Sequence, residues 1–129
     1  MKAQYIKIDR DGHKYYYSDK EMTQLHREDG PACEYVTGSK SWYLNGKCHR
    51  EDGPAVECVD AYKDWYLNGI RHRENGPAVE YSNGNKDWFF NGKKVTQEEH
   101  ALLTKKVPKI NINGKEFTLE ELNNLIKRL

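Results

Sequence analysis

The sequence lacks an excess of charge, a long apolar run and an even set of cysteines, and each absence excludes a class of protein. Its 129 residues include 21 basic and 20 acidic side chains, so no overall field draws the protein towards DNA, an anionic membrane or an acidic partner. The three cysteines, Cys33, Cys48 and Cys58, cannot close a complete disulfide framework, which favours a reducing compartment. No apolar run approaches a membrane span, and residues 1–4 do not begin a signal peptide. We therefore expect a soluble, cytoplasmic protein without membrane insertion.

Motifs for catalysis and for cofactor binding are missing as well. Cys48-His49 has no second Cys or His at the short spacing that zinc sites use. No Gly-rich phosphate-binding loop precedes a helix, and no Ser-His-Asp grouping stands apart from its surroundings. Cys33 and Cys58 occupy strand positions typical of small buried side chains, whereas Cys48 is expected nearer the surface. We predict that the protein is not an enzyme and has no catalytic residue, cofactor or metal.

The sequence does contain one 23-residue unit written three times, from His26 to Lys94. Each copy opens with His-Arg-Glu-Asp-Gly-Pro-Ala, at 26–32 and 49–55, and at 72–78 with Asn in place of Asp. Eleven of the 23 positions are identical in all three copies. A fixed period of this length predicts a repeat architecture in which each unit packs on its neighbours.

The segment before the first full copy is a degenerate version of the same unit. Residues 4–8 and 14–17 are predicted strands joined by a glycine-containing turn, and a longer loop at 18–23 replaces the Asn-Gly turn of the full copies. The predicted domains are an N-terminal cap at 1–25, three β-hairpin repeats at 26–94, and a C-terminal helix–hairpin–helix cap at 95–129.

Within a full copy, Asn83-Gly84 predicts a two-residue hairpin turn. Folding there places Tyr81 opposite Lys86 and Val79 opposite Trp88. Because side chains alternate along a strand, Val79 then shares one face with the tryptophan, and Phe89 lies on the other face. The three tryptophans of the repeat are therefore predicted to form the core layer: Trp42, Trp65 and Trp88.

A second turn follows at Asn45-Gly46 and at Asn68-Gly69, and it places a histidine opposite each of the first two tryptophans. His49 and His72 are therefore predicted to belong to the structural core of the repeat. The fold class that results is mainly β with C-terminal α, an antiparallel meander of repeated β-hairpins capped by short helices.

Two capping boxes predict helices after the last repeat. Thr96 with Glu99 begins a short helix that runs towards Leu103, a small hairpin turns at Asn113-Gly114, and Thr118 with Glu121 begins a second helix. The second helix carries an apolar stripe: Leu119, Leu122, Leu125, Ile126 and Leu129. We expect this stripe to cover the sheet as a lid, with a partner-binding helix as the alternative.

The Trp-Tyr-Leu-Asn-Gly and Asp-Gly-Pro-Ala segments resemble MORN-type repeats, and more closely the divergent MORN-like arrays of small bacterial and bacteriophage proteins. The resemblance covers His26 to Gly92, although His-Arg-Glu-Asp-Gly-Pro stands where the standard unit has Tyr-x-Gly-x-Trp. It implies an elongated sheet of hairpins that serves as a scaffold or docking surface. It also implies an accessory protein that acts on a host factor, in the host cytoplasm if a phage encodes it.

The recurring His-Arg-Glu-Asp set permits two interpretations. As a site, its arginines form an anion-binding ladder or its His and Asp residues form a metal-binding row. As structure, each His packs on the preceding Trp, and each Arg pairs with a carboxylate of a neighbouring turn. We favour structure, because sites seldom recur in every repeat whereas packing solutions must.

Two binding hypotheses and a third alternative remain. In the first, the sheet binds and modulates a host protein through aromatics on one face and arginines at its rim. In the second, the same aromatics stack bases and the arginines hold phosphates of RNA or a nucleotide. The third is a structural scaffold or a self-assembling protein. We favour a protein partner, because each repeat arginine is followed directly by a glutamate. The candidate partner-binding residues are Tyr43, Tyr66, Phe89, Arg27, Arg50 and Arg73.

Overall fold

The computed structural model describes residues 4–105 and 109–128, and its main feature is one antiparallel sheet. Residues 1–3 of the predicted N-terminal cap and Leu129 of the predicted apolar stripe lie outside the described residues. In spatial order the sheet contains β1 (Tyr5–Ile8), β2 (Lys14–Tyr17), β3 (Cys33–Glu34), β4 (Lys40–Ser41), β7 (Val56–Cys58), β8 (Tyr62–Asp64), β11 (Val79–Tyr81), β12 (Lys86–Phe90) and β13 (Lys93–Val95).

Short hairpins extend the first two repeats beyond this sheet, and helices follow the last repeat. The hairpins pair β5 (Tyr43–Leu44) with β6 (Lys47–Cys48), and β9 (Tyr66–Leu67) with β10 (Ile70–Arg71). The C-terminal elements are α1 (Gln97–Thr104), β14 (Lys109–Ile112), β15 (Lys115–Thr118) and α2 (Leu119–Lys127). Within the described residues the predicted fold class is therefore confirmed: an antiparallel meander of hairpins followed by short helices.

The first hairpin of the third unit turns through three residues rather than two. The Tyr81 N–H donates to the Asn85 carbonyl at 2.9 Å, and the Asn83 side chain accepts the Asn85 N–H. Gly84 closes the loop with a φ of +90°, a conformation that glycine adopts without strain. A three-residue loop with a left-handed glycine is the next most common hairpin connection after the two-residue turn. The predicted two-residue turn at Asn83-Gly84 is therefore wrong by one residue.

This difference moves the tryptophans to the other face of the sheet. Val79 lies opposite Asp87 instead of Trp88, because a shift of one residue in register inverts every side chain of a strand. The equivalent pairs in the earlier units are Val56 with Asp64 and Cys33 with Ser41. The predicted face that combined the tryptophans with Val79 is therefore wrong.

The buried core is built of small side chains. Ala32, Ala55 and Ala78 from the repeated Pro-Ala step are fully buried, together with Cys33 and Val79. Each alanine carbonyl accepts an N–H from the preceding unit; Trp42 donates to Ala55 at 2.7 Å. The tryptophans themselves are half-buried, so they do not form the innermost layer as predicted. The units instead approach each other closely along a line of alanines.

The second turn forms as predicted. Asn45 and Gly46 have φ values of 52° and 78°, the two left-handed residues of a tight hairpin turn. The His49 N–H donates to the Trp42 carbonyl at 3.0 Å, and the His72 N–H to the Trp65 carbonyl at 3.1 Å. The predicted pairing of histidine with tryptophan across this turn is confirmed.

The C-terminal helices begin where the capping boxes predict, but the second helix is not a lid. The Thr96 hydroxyl accepts the Glu99 N–H, and Thr118 with Glu121 forms a complete capping box. Among the described residues of α2 none is buried, and Leu119 and Ile126 are 57% and 64% exposed. The apolar stripe predicted to cover the sheet therefore faces solvent.

Candidate functional site

The histidines of the repeat join the start of each unit to the Asn-Gly turn near the end of the same unit. The N–H groups of Asn45, Asn68 and Asn91 donate to Nδ1 of His26, His49 and His72, each at 2.9 Å. Because a backbone N–H can only donate, Nδ1 must present its lone pair, and each imidazole is neutral with its proton on Nε2. The His72 ring also packs edge-on against Phe90 of the same unit, with centroids 4.9 Å apart. A histidine thus holds the Asn-Gly turn that follows it by 19 residues.

The repeat arginines each have several partners, as Arg50 shows. Its Nε donates to Asp52 at 3.0 Å, and its Nη1 donates to Glu57 and to the Pro54 carbonyl, each at 3.1 Å. The flat guanidinium lies over the Trp42 ring of the preceding unit, with Cζ 3.8 Å from the ring centroid. Such stacking combined with charged hydrogen bonds uses both the face and the edges of the guanidinium.

The other two units repeat this arrangement. Arg27 lies over Tyr16 at 4.0 Å, and Arg73 lies over Trp65 at 3.9 Å. Both arginines pair with the glutamate that recurs in each unit, Arg27 with Glu34 and Arg73 with Glu80. Burial alone would lower the pKa of Arg27, but the hydrogen bonds that Arg27 donates to Asp29 and Glu34 raise it above the ordinary value. These contacts favour the structural interpretation of the arginines over an anion-binding ladder.

The glycine of Asp-Gly-Pro makes room for this arginine. A Cβ on Gly53 would lie 2.9 Å from the Arg50 guanidinium carbon, and the equivalent distance is 3.0 Å at Gly30 and at Gly76. The glycine is therefore required by close packing and not by a left-handed backbone. Sequence reasoning missed this contact, although the constant spacing of three residues between Arg and Gly was a usable signal.

The opposite face holds an ion pair that sequence reasoning also missed. Arg71 binds Asp64 through two parallel hydrogen bonds of 2.9 and 2.7 Å, and it donates to the Tyr66 hydroxyl at 2.9 Å. Its guanidinium lies 4.8 Å from the Phe89 ring centroid. Hydrogen bonding to Asp64 raises the pKa of Arg71, against the lowering effect of burial. Asp64 is buried, and because both partners belong to the second unit, it is the contact of Arg71 with Phe89 that reaches the third unit.

Correlated substitution between the copies could have revealed this pair. The position of Asp64 holds Ser41 in the first unit and Asp87 in the third. The position of Arg71 holds Cys48 and Lys94, and Lys94 lies 3.4 Å from Asp87. Where the first position holds an acidic residue, the second holds a basic one, and where the first holds a hydroxyl, the second holds a thiol. This is the pattern expected of two positions that contact each other.

The structure divides the candidate partner-binding residues between the two faces. Arg27, Arg50 and Arg73 lie with the tryptophans on one face, whereas Tyr43, Tyr66 and Phe89 lie on the other beside Asp64. Tyr43 and Tyr66 are half-buried, and burial raises the pKa of both hydroxyl groups. The aromatic residues and the arginines predicted to lie at their rim are therefore on opposite faces of the sheet.

The same face exposes further tyrosines near the three-residue turns. Tyr62 and Tyr81 are 37% and 39% exposed, and their ring centroids lie 6.5 Å apart across β8 and β11. The Tyr81 hydroxyl donates to Asp87 at 2.9 Å. A shallow cavity of about 200 Å³ lies beside them. We call Tyr43, Tyr62, Tyr66, Tyr81 and Phe89 the tyrosine face.

A larger cleft separates the His-Arg-Glu loops of the second and third units. It has a volume of about 560 Å³ and is lined by Trp65 and by both loops. The arginines of the loops point into the sheet, so the exposed rim carries carboxylates at Glu51, Asp52 and Glu74. Three exposed carboxylates therefore stand beside the two arginines that line the cleft, and Arg50 and Arg73 are each already paired with a glutamate.

The three cysteines are free thiols, and burial controls their chemistry. Burial raises the pKa of Cys33, and it raises the pKa of Cys48 to about 12. The Cys48 thiol is therefore protonated at neutral pH and a poor nucleophile. Cys33 is buried as predicted, and Cys48 lies nearer the surface than Cys33; Cys58, which was predicted to be buried, is half-buried like Cys48.

Among the residues that the structure describes, one group of potential metal ligands occurs, in the first turn. Atoms of Asp9, Asp11 and His13 lie within 4.8 Å of one another. Asp9 accepts the N–H groups of Asp11 and His13, and His13 Nδ1 accepts the Val36 N–H at 3.0 Å. Asp9 and His13 therefore already hold the turn and link it to the next one, which gives the placement of these two side chains a structural reason.

His100 ends the array in the place of a fourth arginine. It is buried on α1, its ring centroid lies 4.9 Å from that of Trp88, and its Nε2 lies 2.5 Å from the Arg73 carbonyl oxygen. Trp88 therefore receives a ring from the helix where the other units receive a guanidinium. No repeat signal marks this histidine, and sequence reasoning missed it.

Comparison with known proteins adds no relative to this description. No family model, no curated protein and no solved structure matches the chain. The resemblance to MORN-like repeats therefore stays a prediction. Among the described residues, neither helix has the length and apolar character needed to cross a bilayer.

Proposed function

We propose that this protein is a non-enzymatic, repeat-based interaction module that binds a protein partner through its tyrosine face. The proposal includes the MORN-like resemblance, a cytoplasmic location, and a role as a bacterial or phage accessory protein that modulates a host protein. It assigns the recurring His-Arg-Glu-Asp set to the structure of the array and the binding function to the side chains left partly exposed.

The stacking and the ion pairs of the repeat arginines carry the proposal. Each guanidinium is stacked on a ring of the preceding unit and bound to a carboxylate of its own unit. The arginines on the Trp side of the sheet therefore join neighbouring units. The tyrosine face keeps phenol rings at the surface, at Tyr62 and Tyr81. Tyrosine suits protein interfaces because it offers a large apolar area with one polar atom.

The same observation weakens the nucleic-acid alternative. Binding of RNA or a nucleotide requires cations that reach phosphates. Arg27 and Arg50 each contact two carboxylates and Arg73 one, and the acidic rim beside them would repel a phosphate backbone. An aromatic face without available arginines is better suited to a protein surface.

The experiment that tests the proposal compares two faces of the same strands. Affinity purification from the native host, with nuclease treatment, is performed on the native protein and on two double variants. Tyr62→Ser with Tyr81→Ser alters the tyrosine face, and Lys63→Ser with Lys86→Ser alters exposed residues of the opposite face. We expect a stoichiometric protein partner that the tyrosine variant loses and the lysine variant retains.

Two outcomes would contradict the proposal. Equal retention by both variants would remove the tyrosine face from the interface. Binding of single-stranded RNA at moderate salt, lost when Arg50→Ala and Arg73→Ala are combined, would establish the nucleic-acid alternative instead.

A further inference from the structure

The hydrogen bonds of the repeat histidines depend on a lone pair that acid removes. Nδ1 of each ring accepts a backbone N–H at 2.9 Å, which it can do only while that lone pair is free. Histidine is the side chain whose charge ordinarily changes between about pH 5 and pH 8. A proton on Nδ1 converts the acceptor into a donor that faces the donor of the turn, so the bond is lost. We call the three pairs the histidine links: His26 with Asn45, His49 with Asn68, and His72 with Asn91.

Each histidine link holds a hairpin that carries one ring of the tyrosine face. The Asn of the link stands two residues after Tyr43, Tyr66 or Phe89, in the turn that follows the same strand. The next residue of the turn is held by a backbone bond instead, as at Gly46, whose N–H donates to the Leu25 carbonyl at 2.9 Å. That backbone bond does not titrate. Acid therefore removes one of two neighbouring attachments of the turn, which loosens the hairpin and leaves the sheet in place.

Water reaches these imidazoles poorly. Their side chains are 12%, 10% and 8% exposed, in chain order. Because the Asn N–H occupies Nδ1, a proton binds there only when the turn moves away, and the bound proton then prevents the link from forming again. The open turn thus binds a proton that the closed turn excludes. By linkage, a falling pH favours the open turn.

Carboxylates face the other ring nitrogen. Nε2 of the three rings lies 3.4, 3.6 and 3.9 Å from a glutamate oxygen two residues further along the same loop. These glutamates are exposed, and an ion pair with an exposed carboxylate contributes little. They stabilise the charged ring at Nε2, so they do not replace the bond that is lost at Nδ1. The three glutamates are Glu28, Glu51 and Glu74.

His72 also lines the cleft between the loops of the second and third units. The two arginines of the cleft are already paired, Arg50 with Glu57 and Arg73 with Glu80. The remaining charged groups of the cleft are carboxylates, which tolerate a charged imidazole. The charged residues that line the cleft are Arg50, Glu51, Asp52, Arg73 and Glu74.

The histidine of α1 does not share this behaviour. His72 packs on Phe90, and His100 lies beyond that ring, with its centroid 6.4 Å from that of Phe90. Nε2 of His100 faces the Arg73 carbonyl, which can only accept, so Nε2 carries a proton in the neutral and the charged ring alike. Acid therefore leaves the bond of His100 in place and acts on the three histidine links.

We propose that acid opens the tyrosine face, because protonation of the three imidazoles releases the turns that hold Tyr43, Tyr66 and Phe89. This inference rests on the function proposed above and names the regulation of the same surface. The three links have the same partner atoms and the same length, so the array responds along its whole length and not at one end. A partner bound at neutral pH is released in acid.

The first test requires no partner. NMR on the full-length chain measures the protection of each amide from hydrogen exchange, relative to the unprotected rate at the same pH. Between about pH 8 and pH 5 the protection at Asn45, Asn68 and Asn91 should fall at least about tenfold, as expected for the loss of a hydrogen bond. The amides of Trp42 and Trp65, which donate to alanine carbonyls, should keep their protection. The nitrogen chemical shifts of the imidazoles record the uptake of protons in the same samples.

His49→Asn supplies a matched control within one chain. Its side-chain oxygen accepts the Asn68 N–H near the position of Nδ1 and does not titrate. Protection at Asn68 should then be independent of pH, whereas Asn45 and Asn91 of the same chain should still lose protection in acid.

The second test measures binding of the partner captured from the native host. Retention of this partner should be at least about tenfold lower at about pH 5 than at about pH 8. The variant that combines His26→Asn, His49→Asn and His72→Asn should retain the partner at both values. The single variant His49→Asn keeps two links, and its loss of partner in acid should be smaller than that of the native chain, which provides the comparison where the triple variant does not fold.

Three results would overturn the inference. The first is imidazoles that stay neutral at about pH 5, or that become charged while the three Asn amides keep their protection. The second is a partner retained equally at both pH values although the turns open, which leaves the proposed function intact. The third is equal loss of the partner in acid by the native chain and the histidine variants. A chain that retains no partner at about pH 8 contradicts the proposed function itself, and with it the regulation, even where the turns open.

Discussion

Asp64 and Arg71 form a two-bonded ion pair within the second unit, with distances of 2.9 and 2.7 Å, and the Arg71 guanidinium also lies 4.8 Å from the Phe89 ring centroid of the third unit. The carboxylate is buried, whereas the guanidinium is about a third exposed. In the first unit the neutral residues Ser41 and Cys48 occupy the positions equivalent to Asp64 and Arg71. The first unit therefore shows that a neutral pair can also fill these two positions.

Removal of one partner of this ion pair should lower the free energy of unfolding more than replacement of both partners does. We expect Arg71→Ala to lower the free energy of unfolding by about 2 kcal/mol, below the cost for a fully buried pair because water reaches Arg71. Asp64→Ser with Arg71→Cys recreates the first unit and should cost less than Arg71→Ala alone. Urea denaturation of the two single variants and the double variant measures the coupling. Strictly additive costs would mean that the two side chains act independently.

The histidine links should depend on an acceptor at the position of Nδ1. His49→Ala leaves the Asn68 N–H without its partner and should cost about 1–3 kcal/mol. His49→Asn places an oxygen near the position of Nδ1 and should lower the free energy of unfolding by less. His49→Gln has a longer side chain, which should carry its oxygen beyond that position. Hydrogen exchange at the Asn68 amide reports the bond directly. Equal exchange in the alanine and asparagine variants would show that the imidazole acts through packing alone.

The packing of glycine against arginine should appear as a dependence of one substitution on the other. Gly53→Ala places a Cβ 2.9 Å from the Arg50 guanidinium carbon and should cost about 1–3 kcal/mol by displacing that group from Trp42. In an Arg50→Ala background the same substitution should cost little, because the space is then empty. Thermal unfolding of the four chains provides the comparison. An unchanged cost in that background would place the strain in the backbone instead.

Alkaline pH should destabilise the fold partly through Cys48. Burial raises the pKa of this thiol to about 12, whereas an unfolded thiol ionises near its ordinary value of about 9. Between these values the unfolded chain releases its proton first, so stability is fully present below about pH 9 and falls as the pH rises towards 12. We expect Cys48→Ala to flatten this fall, as measured by urea denaturation at a series of pH values.

Chemical modification gives an independent measure of the same thiol. At pH 8 alkylation of Cys48 should be at least about tenfold slower in the folded chain than in urea, because the thiolate reacts and burial suppresses it. Mass spectrometry of the digested protein identifies which cysteine has reacted. Rapid modification of Cys48 in the folded state would contradict the burial of its sulfur.

The period, the second turn and the helix starts were predictable because their signals are local. Asn45-Gly46 specifies a tight turn through two left-handed residues, and Thr118 with Glu121 specifies a helix start through its own hydrogen bonds. Neither signal depends on what lies elsewhere in the molecule.

The tertiary structure alone decided the register of the first hairpin and the faces that follow from it. Asn83-Gly84 is compatible with a loop of two or three residues, and the packing of Val79 against Asp64 and Asp87 selects the longer one. That choice transfers the tryptophans to the arginine side and leaves the tyrosines opposite. The sequence by itself determined how often the chain turns, because turns are encoded by neighbouring residues. Which side chains meet across the sheet was decided by contacts between units, which no single unit encodes.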